Sequence, residues 1–184
     1  MGKTRTDPWE WYLCTQITTP VRNPYVSRLL HACVYGQPVQ KGGAGSVYRT
    51  VISVTTKGEG DIVNLTPEVQ RCVKESGVKD GSVHLFVTGS TAALTTIEFE
   101  PGVLSDLKRA LSVLAPDGIP YAHDSRWGDG NGRSHVKAAI VGPSLLIPLE
   151  KGDLGTGTWQ QVVLLELDVR PSRHRTVTCT VTEG

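Results

Sequence analysis

The stretches Ser144-Leu-Leu-Ile-Pro-Leu149, Thr158-Trp-Gln-Gln-Val-Val-Leu-Leu-Glu-Leu-Asp168 and Arg175-Thr-Val-Thr-Cys-Thr-Val181 decide the fold class. Each is rich in apolar or β-branched residues, and turn residues part them: Lys151-Gly-Asp153 after the first and Pro171 after the second. Apolar runs bounded by such breakers read as β-strands, and three in succession predict a C-terminal β-meander. The middle run holds Val162, Val163, Leu164, Leu165 and Leu167, so both of its faces are apolar and both need a cover.

Upstream, residues 47–56 (Val-Tyr-Arg-Thr-Val-Ile-Ser-Val-Thr-Thr) contain no breaker and predict another strand, closed by Gly58 and Gly60. Thr66-Pro67-Glu68 opens a helix: Thr caps, Pro sits where a missing N–H costs nothing, and an acid lies near the positive end of the dipole. Val69, Cys72 and Val73 give it one apolar stripe, and Gly77 supplies a left-handed stop. Residues 83–88 form a strand that Gly89-Ser90 interrupts and residues 91–98 resume. A second main helix starts at Pro101-Gly102, buries Val103, Leu107, Ala110, Leu111 and Leu114, and ends at Pro116-Asp-Gly118. Ser134 can cap a short helix running to Gly142. Strands arrive in runs without a repeating β-α unit, which predicts an α+β fold of mixed, mainly antiparallel sheets with two main helices.

Residues 1–45 read differently. They have no sustained period, apart from a short amphipathic piece around residues 25–35, and end in the linker-like Lys41-Gly-Gly-Ala-Gly-Ser46. Five basic residues stand against two acidic ones there, so the segment is +3 and the remainder −2. The expected organisation is a peripheral N-terminal extension, 1–45, and one domain, 46–184.

The formal net charge of +1 creates no field of either sign, and no Lys/Arg run makes a nucleic-acid track. No stretch approaches the roughly 20 apolar residues that cross a bilayer. Cys14, Cys33, Cys72 and Cys179 are scattered, as thiols of a reducing cytoplasm would be. The expected partner is a small molecule, with neither nucleic acid nor membrane.

The chemistry concentrates in Tyr121-Ala-His-Asp-Ser-Arg-Trp-Gly-Asp-Gly-Asn-Gly-Arg-Ser-His135, whose alternating glycines predict a loop. His123 and His135 can bind a metal or move a proton, since neutral imidazole ligates and titrates near neutrality. Asp124, Asp129 and Asn131 add oxygen donors, although the calcium-loop register is absent. Arg126 and Arg133 are available for an anionic group. Gly89, Ser90 and Thr91 read either as an anion cradle or as a β-bulge. Glu98 is an acid or base if it faces inward and ordinary if it faces out. Trp159 and Gln160 suit the face and edge of a heterocycle, or a core or interface position. His84 reads as structural and His174 as exposed.

Taken in order, Gly89-Ser-Thr-Ala-Ala-Leu-Thr-Thr-Ile-Glu98, Tyr121-Ala-His123, Asn131, Ser134-His135 with the following Val-Lys-Ala-Ala, Gly142-Pro-Ser-Leu145, and Gly157-Thr-Trp-Gln160 resemble the YjbQ family, described as secondary thiamine-phosphate synthases. The resemblance spans residues 47–181. It implies a homotrimer with a histidine-lined site near a subunit boundary. The implied reaction condenses a hydroxymethylpyrimidine diphosphate with a thiazole phosphate and releases pyrophosphate. Members of the family commonly carry a third histidine where this chain has Gly89. A three-histidine metal site is therefore either lost, or completed by Asp124, Asp129 or water around a divalent ion, zinc or magnesium. The other function class consistent with the same residues is a non-catalytic trimeric protein that binds a phosphate ester.

Overall fold

The computed structural model describes residues 33–37 and 47–184. The elements are β1 (Cys33–Gln37), β2 (Val47–Thr56), β3 (Ile62–Asn64), α1 (Thr66–Ser76), β4 (Gly81–Val87), β5 (Ala92–Ile97), α2 (Pro101–Leu114), α3 (Ala122–Trp127), α4 (Gly132–Val141), β6 (Ser144–Glu150), β7 (Asp153–Leu154), β8 (Gln161–Glu166) and β9 (Arg173–Glu183). One sheet has the order β1-β2-β9-β4-β6-β7 and the other β3-β8-β5. Every strand pair among the described residues is antiparallel, so the fold is α+β as expected.

The C-terminal strands do not form a meander. β6 pairs with β4, β8 lies in the other sheet between β3 and β5, and β9 pairs with β2 and β4. Turn residues mark where strands end, whereas partner choice is set by which apolar faces meet. The short β3 was not anticipated, having too few residues to show a period. Likewise, residues 83–98 are not one interrupted strand: the chain leaves the six-stranded sheet at Val87 and enters the three-stranded one at Ala92. Gly89, at φ +124°, makes that passage in a backbone region that side chains rarely tolerate.

The core lies between the sheets. Ile52, Val54, Val83, Leu85, Val87, Val177, Cys179 and Val181 come from the larger sheet, Leu94, Val162 and Leu164 from the smaller, and Val69, Cys72 and Val73 from α1. Val163, Leu165 and Leu167 turn the other way and pack with Ala93, Leu111 of α2 and Ala138 of α4. β8 is thus apolar on both faces because this chain covers both. The helix α1 stops as predicted at Gly77, in the left-handed conformation, but Thr66 is its first residue and not its cap: Leu65 holds that position without a side-chain cap bond, and Thr66 Oγ1 accepts from the Val162 amide at 2.9 Å instead. In α2, Glu100 accepts from the Gly102 and Val103 amides at 2.8 and 3.0 Å. Its expected stripe is only partly buried: Leu111 is covered, whereas Ala110 and Leu114 are exposed. Of the amphipathic piece at 25–35, residues 33–35 lie in β1 and the rest fall outside the described residues. No helix among the described residues is long and apolar enough to cross a membrane.

Candidate functional site

Residues 121–135 are not a loop. They form α3, a tight turn and the first turn of α4. The glycines that argued against a helix are its punctuation: Gly128 caps α3 in the left-handed conformation, and Gly130 has φ +70° in the turn. At Gly132 an added Cβ would collide with the Cβ of Tyr121, so only glycine lets α4 start there. Asn131 precedes it, 3% exposed, and its Oδ1 accepts from the Val169 amide at 3.1 Å, fastening the turn to the β8–β9 connection. Ser134, expected as a cap, is instead inside α4 and fully buried.

This packing brings the two histidines together, with ring centroids 4.5 Å apart and planes tilted by 49°. His123 Nδ1 lies 3.3 Å from both Asp124 Oδ1 and Asp129 Oδ1. His135 Nδ1 lies 3.1 Å from the Ser90 carbonyl oxygen. A carbonyl or carboxylate only accepts, so Nδ1 is the donor in each ring. In the neutral tautomer that leaves each Nε2 with its lone pair, the arrangement by which acceptors orient catalytic or ligating imidazoles. The carboxylates are themselves anchored. Asp124 Oδ1 accepts from the Gly132 amide at 2.8 Å. The Asn131 amide above all, then the Asn131 side chain and His123, hold the Asp129 carboxyl below its ordinary value against burial, which raises it.

Three donors, His123, Asp124 and Asp129, have ligand atoms within 4.8 Å of one another. That grouping would require His123 Nδ1 to give up its proton, and Gly89 contributes no side chain. The residues present therefore do not fit a three-imidazole ion. They offer one imidazole with two carboxylates, beside a second imidazole whose ring centroid is 4.5 Å away.

Beneath the β4–β5 passage lies a buried polar network that the motif reading missed. Arg175, 3% exposed, donates from Nε to Glu166 Oε2 at 2.7 Å and from Nη2 to Glu166 Oε1. Nη2 also reaches Thr91 O at 3.1 Å and Thr91 Oγ1 at 3.0 Å. Thr91 Oγ1 in turn donates to Asp168 Oδ2 at 2.9 Å. The signal was present as parity. Arg175 alternates with Val177, Cys179 and Val181 on one face of its strand, and Glu166 alternates with Val162 and Leu164 on one face of its own. A charge in phase with a core stripe requires a buried partner.

The other expected site residues are dispersed. Arg133 grips Glu59, Nη2 to Oε2 at 2.8 Å and Nε to Oε1 at 3.1 Å, and Asp117 lies 2.7 Å from Nε. Arg126 is exposed, its guanidinium 5.5 Å from the Trp127 ring centroid. Glu98 lies just beyond β5 and is exposed. Trp159 is 72% exposed, and Gln160 donates to Thr96 Oγ1 at 2.8 Å. Ile97 pairs with Gln161 and Ala92 with Glu166, so Glu98, Trp159 and Gln160 lie a strand length, about 20 Å, from Thr91 within one chain. His84, expected to be structural, is exposed, as is His174.

Comparison with known proteins gives a consistent picture. The family described as "UPF0047 protein YjbQ-like" matches residues 50–184. A UPF0047 protein of Archaeoglobus fulgidus is 36% identical over 117 residues, 64% of this chain and 89% of its own. YjbQ of Salmonella typhimurium is 35% identical over 123 residues, 65% of this chain and 86% of its own. Among solved structures, a YbjQ-like protein of unknown function from Sulfolobus solfataricus superposes with a TM-score of 0.71 at 30% identity, covering 77% of this chain and all of the other.

Proposed function

Because this chain belongs to the UPF0047 family of YjbQ-like proteins, we propose that it is a secondary thiamine-phosphate synthase-like transferase acting at the His123–His135 face. The thiazole ring nitrogen would attack the methylene carbon of the pyrimidine diphosphate. The bond from that carbon to the diphosphate oxygen breaks, its electrons leave with the diphosphate, and pyrophosphate is released. What supports the reading is the pair of imidazoles, both held through Nδ1 and both with Nε2 uncommitted, beside the Gly89–Thr91 passage. In this role each ring would have to carry a proton on Nε2 as well as Nδ1, so that Nε2 donates to the departing diphosphate oxygens, a task of positioning and charge stabilisation.

A homotrimer is part of the same proposal. Glu98, Trp159 and Gln160 lie too far from the histidines to join them within one chain, so a neighbouring copy would have to bring its own. Gly89, in place of a third imidazole, favours the second reading, a trimeric binding protein for phosphate esters. Incubation with both precursors separates the two. Thiamine phosphate and pyrophosphate that appear with the native chain and vanish with His135→Ala support the transferase. Tight binding of the precursors without turnover leaves the binding protein.

A further inference from the structure

Arg175 has one guanidinium nitrogen that the network does not use. Nε and Nη2 form one edge of the planar fork, and both are on Glu166. Nη1 is at the remaining corner, and nothing among the described residues accepts from it. It lies 3.0 Å from where a Cβ on Gly89 would be, so the missing side chain of Gly89 is the opening above it. Gly89 and Ser90 are themselves exposed, and no described residue accepts from their amides. On the rim, the Ser90 carbonyl is held by His135.

We propose that Arg175 Nη1, reached through the opening at Gly89, binds an oxygen of a phosphate or diphosphate group, with the Gly89 and Ser90 amides as additional donors. This deepens the phosphate-ester reading by naming its cation, since Arg133 is committed to Glu59 and Arg126 stands over Trp127. Three features suit the role. The guanidinium is fixed by Glu166, so no side-chain freedom is lost when the anion arrives. It is always charged, and a charged donor makes the stronger hydrogen bond to a phosphate oxygen. The local charge is balanced beforehand. Glu166 and Asp168 face Arg175, and the Arg173 Nε lies 3.7 Å from Asp168, so an incoming anion meets a neutral cluster whose unfilled donor lies under Gly89.

The experiment uses the full chain and inorganic pyrophosphate as the probe, read by calorimetry and by the arginine side-chain resonances. Arg175→Lys keeps a charge for Glu166 and removes Nη1. Gly89→Ala keeps Arg175 and closes the opening with a methyl group. Both, checked for folding by melting, are expected to bind pyrophosphate at least about tenfold more weakly than the native chain. In the native chain the Arg175 resonance, assigned by its loss in Arg175→Lys, should shift on titration. Should either variant fail to fold, that shift decides alone, the resonance then being assigned through its proximity to Thr91. Native-like affinity in a folded variant, an unmoved Arg175 resonance while pyrophosphate binds, or no binding at millimolar pyrophosphate would each overturn the proposal. Its failure is distinct from that of the transferase reading. Pyrophosphate bound through Arg175 in a chain that makes no product ends only the latter, and turnover unaltered in Arg175→Lys ends only the former.

Discussion

Lys137, only 5% exposed in α4, is paired at 3.2 Å with Glu59, which lies between Gly58 and Gly60 in the turn joining β2 to β3. The same carboxylate takes the Arg133 fork, so one acid anchors two cations of the helix that carries His135. Glu59→Gln leaves Lys137 buried with only Asp117, 3.9 Å away, as a charged partner. Removing one member of a buried pair is costly, but Glu59 is itself partly exposed, so a loss of about 2 kcal/mol is expected. Urea unfolding should report it, with a fall in melting temperature of about 4–8 °C. A change within experimental error would mean that solvent screens the pair.

Acid should loosen the same region. Burial pulls the Glu59 carboxyl up, but the bonds and charges of Arg133 and Lys137 outweigh it and hold the group below its ordinary value. Asp168 is likewise lowered: burial raises it, and the Arg170 amide, Thr91 and the neighbouring arginines more than offset that. Depressed carboxylates contribute stability that is complete above their unfolded values, near 4, and lost as pH falls through the folded ones. Glu68 has the opposite sign. Burial pushes its carboxyl up and its Oε2 has no partner among the described residues, so Glu68→Gln should stabilise the chain at neutral pH, with the gain fading as pH falls through the raised folded value and gone below the unfolded one, near 4. Melting curves from pH 3 to 7 check both. A gain from Glu68→Gln that persists undiminished at pH 3 would assign it to packing instead.

Much of the frame was legible in the sequence because its signals are local. The strand at residues 47–56, the helix behind Thr66-Pro67 and its Gly77 stop each depend on neighbouring residues alone. Partner choice was not legible, since the sorting of β6, β8 and β9 into two sheets depends on faces far apart in sequence. At the site, His123 and His135 stood out by residue type and do come together. The stretch between them was misread because glycines at helix ends have the same spacing as glycines in a loop. Arg175 and Glu166 went unnoticed because neither sits in a motif; only their phase with Val177 and Leu164 marks them as buried.

A chain beginning at Gly45 is expected to fold and assemble. Every core residue among those described lies at or beyond Ile52, with Tyr48 packed against them. Such a chain loses the β1 rungs on β2, Cys33 opposite Ser53 through Gln37 opposite Arg49. Edge rungs contribute little when the strand beneath is held from its other side by β9. A melting temperature lowered by more than a few degrees, or an insoluble product, would show that residues 1–45 belong to the domain.

The expected mass in solution is that of a trimer. The apolar strand β8 gives no ground for it, because this chain covers both of its faces. The ground is surface: Val113, Trp159, Trp127 and Leu114 are each at least 60% exposed, large side chains that a monomer would leave in water. Light scattering at micromolar concentration is the check. A monomer mass would remove the trimer, and with it any role for Glu98, Trp159 and Gln160 at the histidine site.

The last expectation is that this chain holds zinc poorly. Zinc affinity at structural sites rests on a complete ligand set, and two Nε2 atoms without a third imidazole leave the ion mostly to water. Restoring the residue is not simple. Gly89 has φ +124°, and a Cβ there would stand 3.0 Å from Arg175 Nη1, so Gly89→His must shift the passage before its ring can ligate. A harder ion is the alternative, with Asp124 and Asp129 supplying oxygens beside His123, and magnesium would also suit a diphosphate. Elemental analysis of protein purified without a histidine tag and dialysed should find zinc far below one ion per chain. Magnesium, if bound, should be lost in Asp129→Asn but kept in His135→Ala, which lies outside that donor group. Near-stoichiometric zinc retained through dialysis would contradict this, and would mean that the two imidazoles find further ligands, as a neighbouring copy in a trimer could supply.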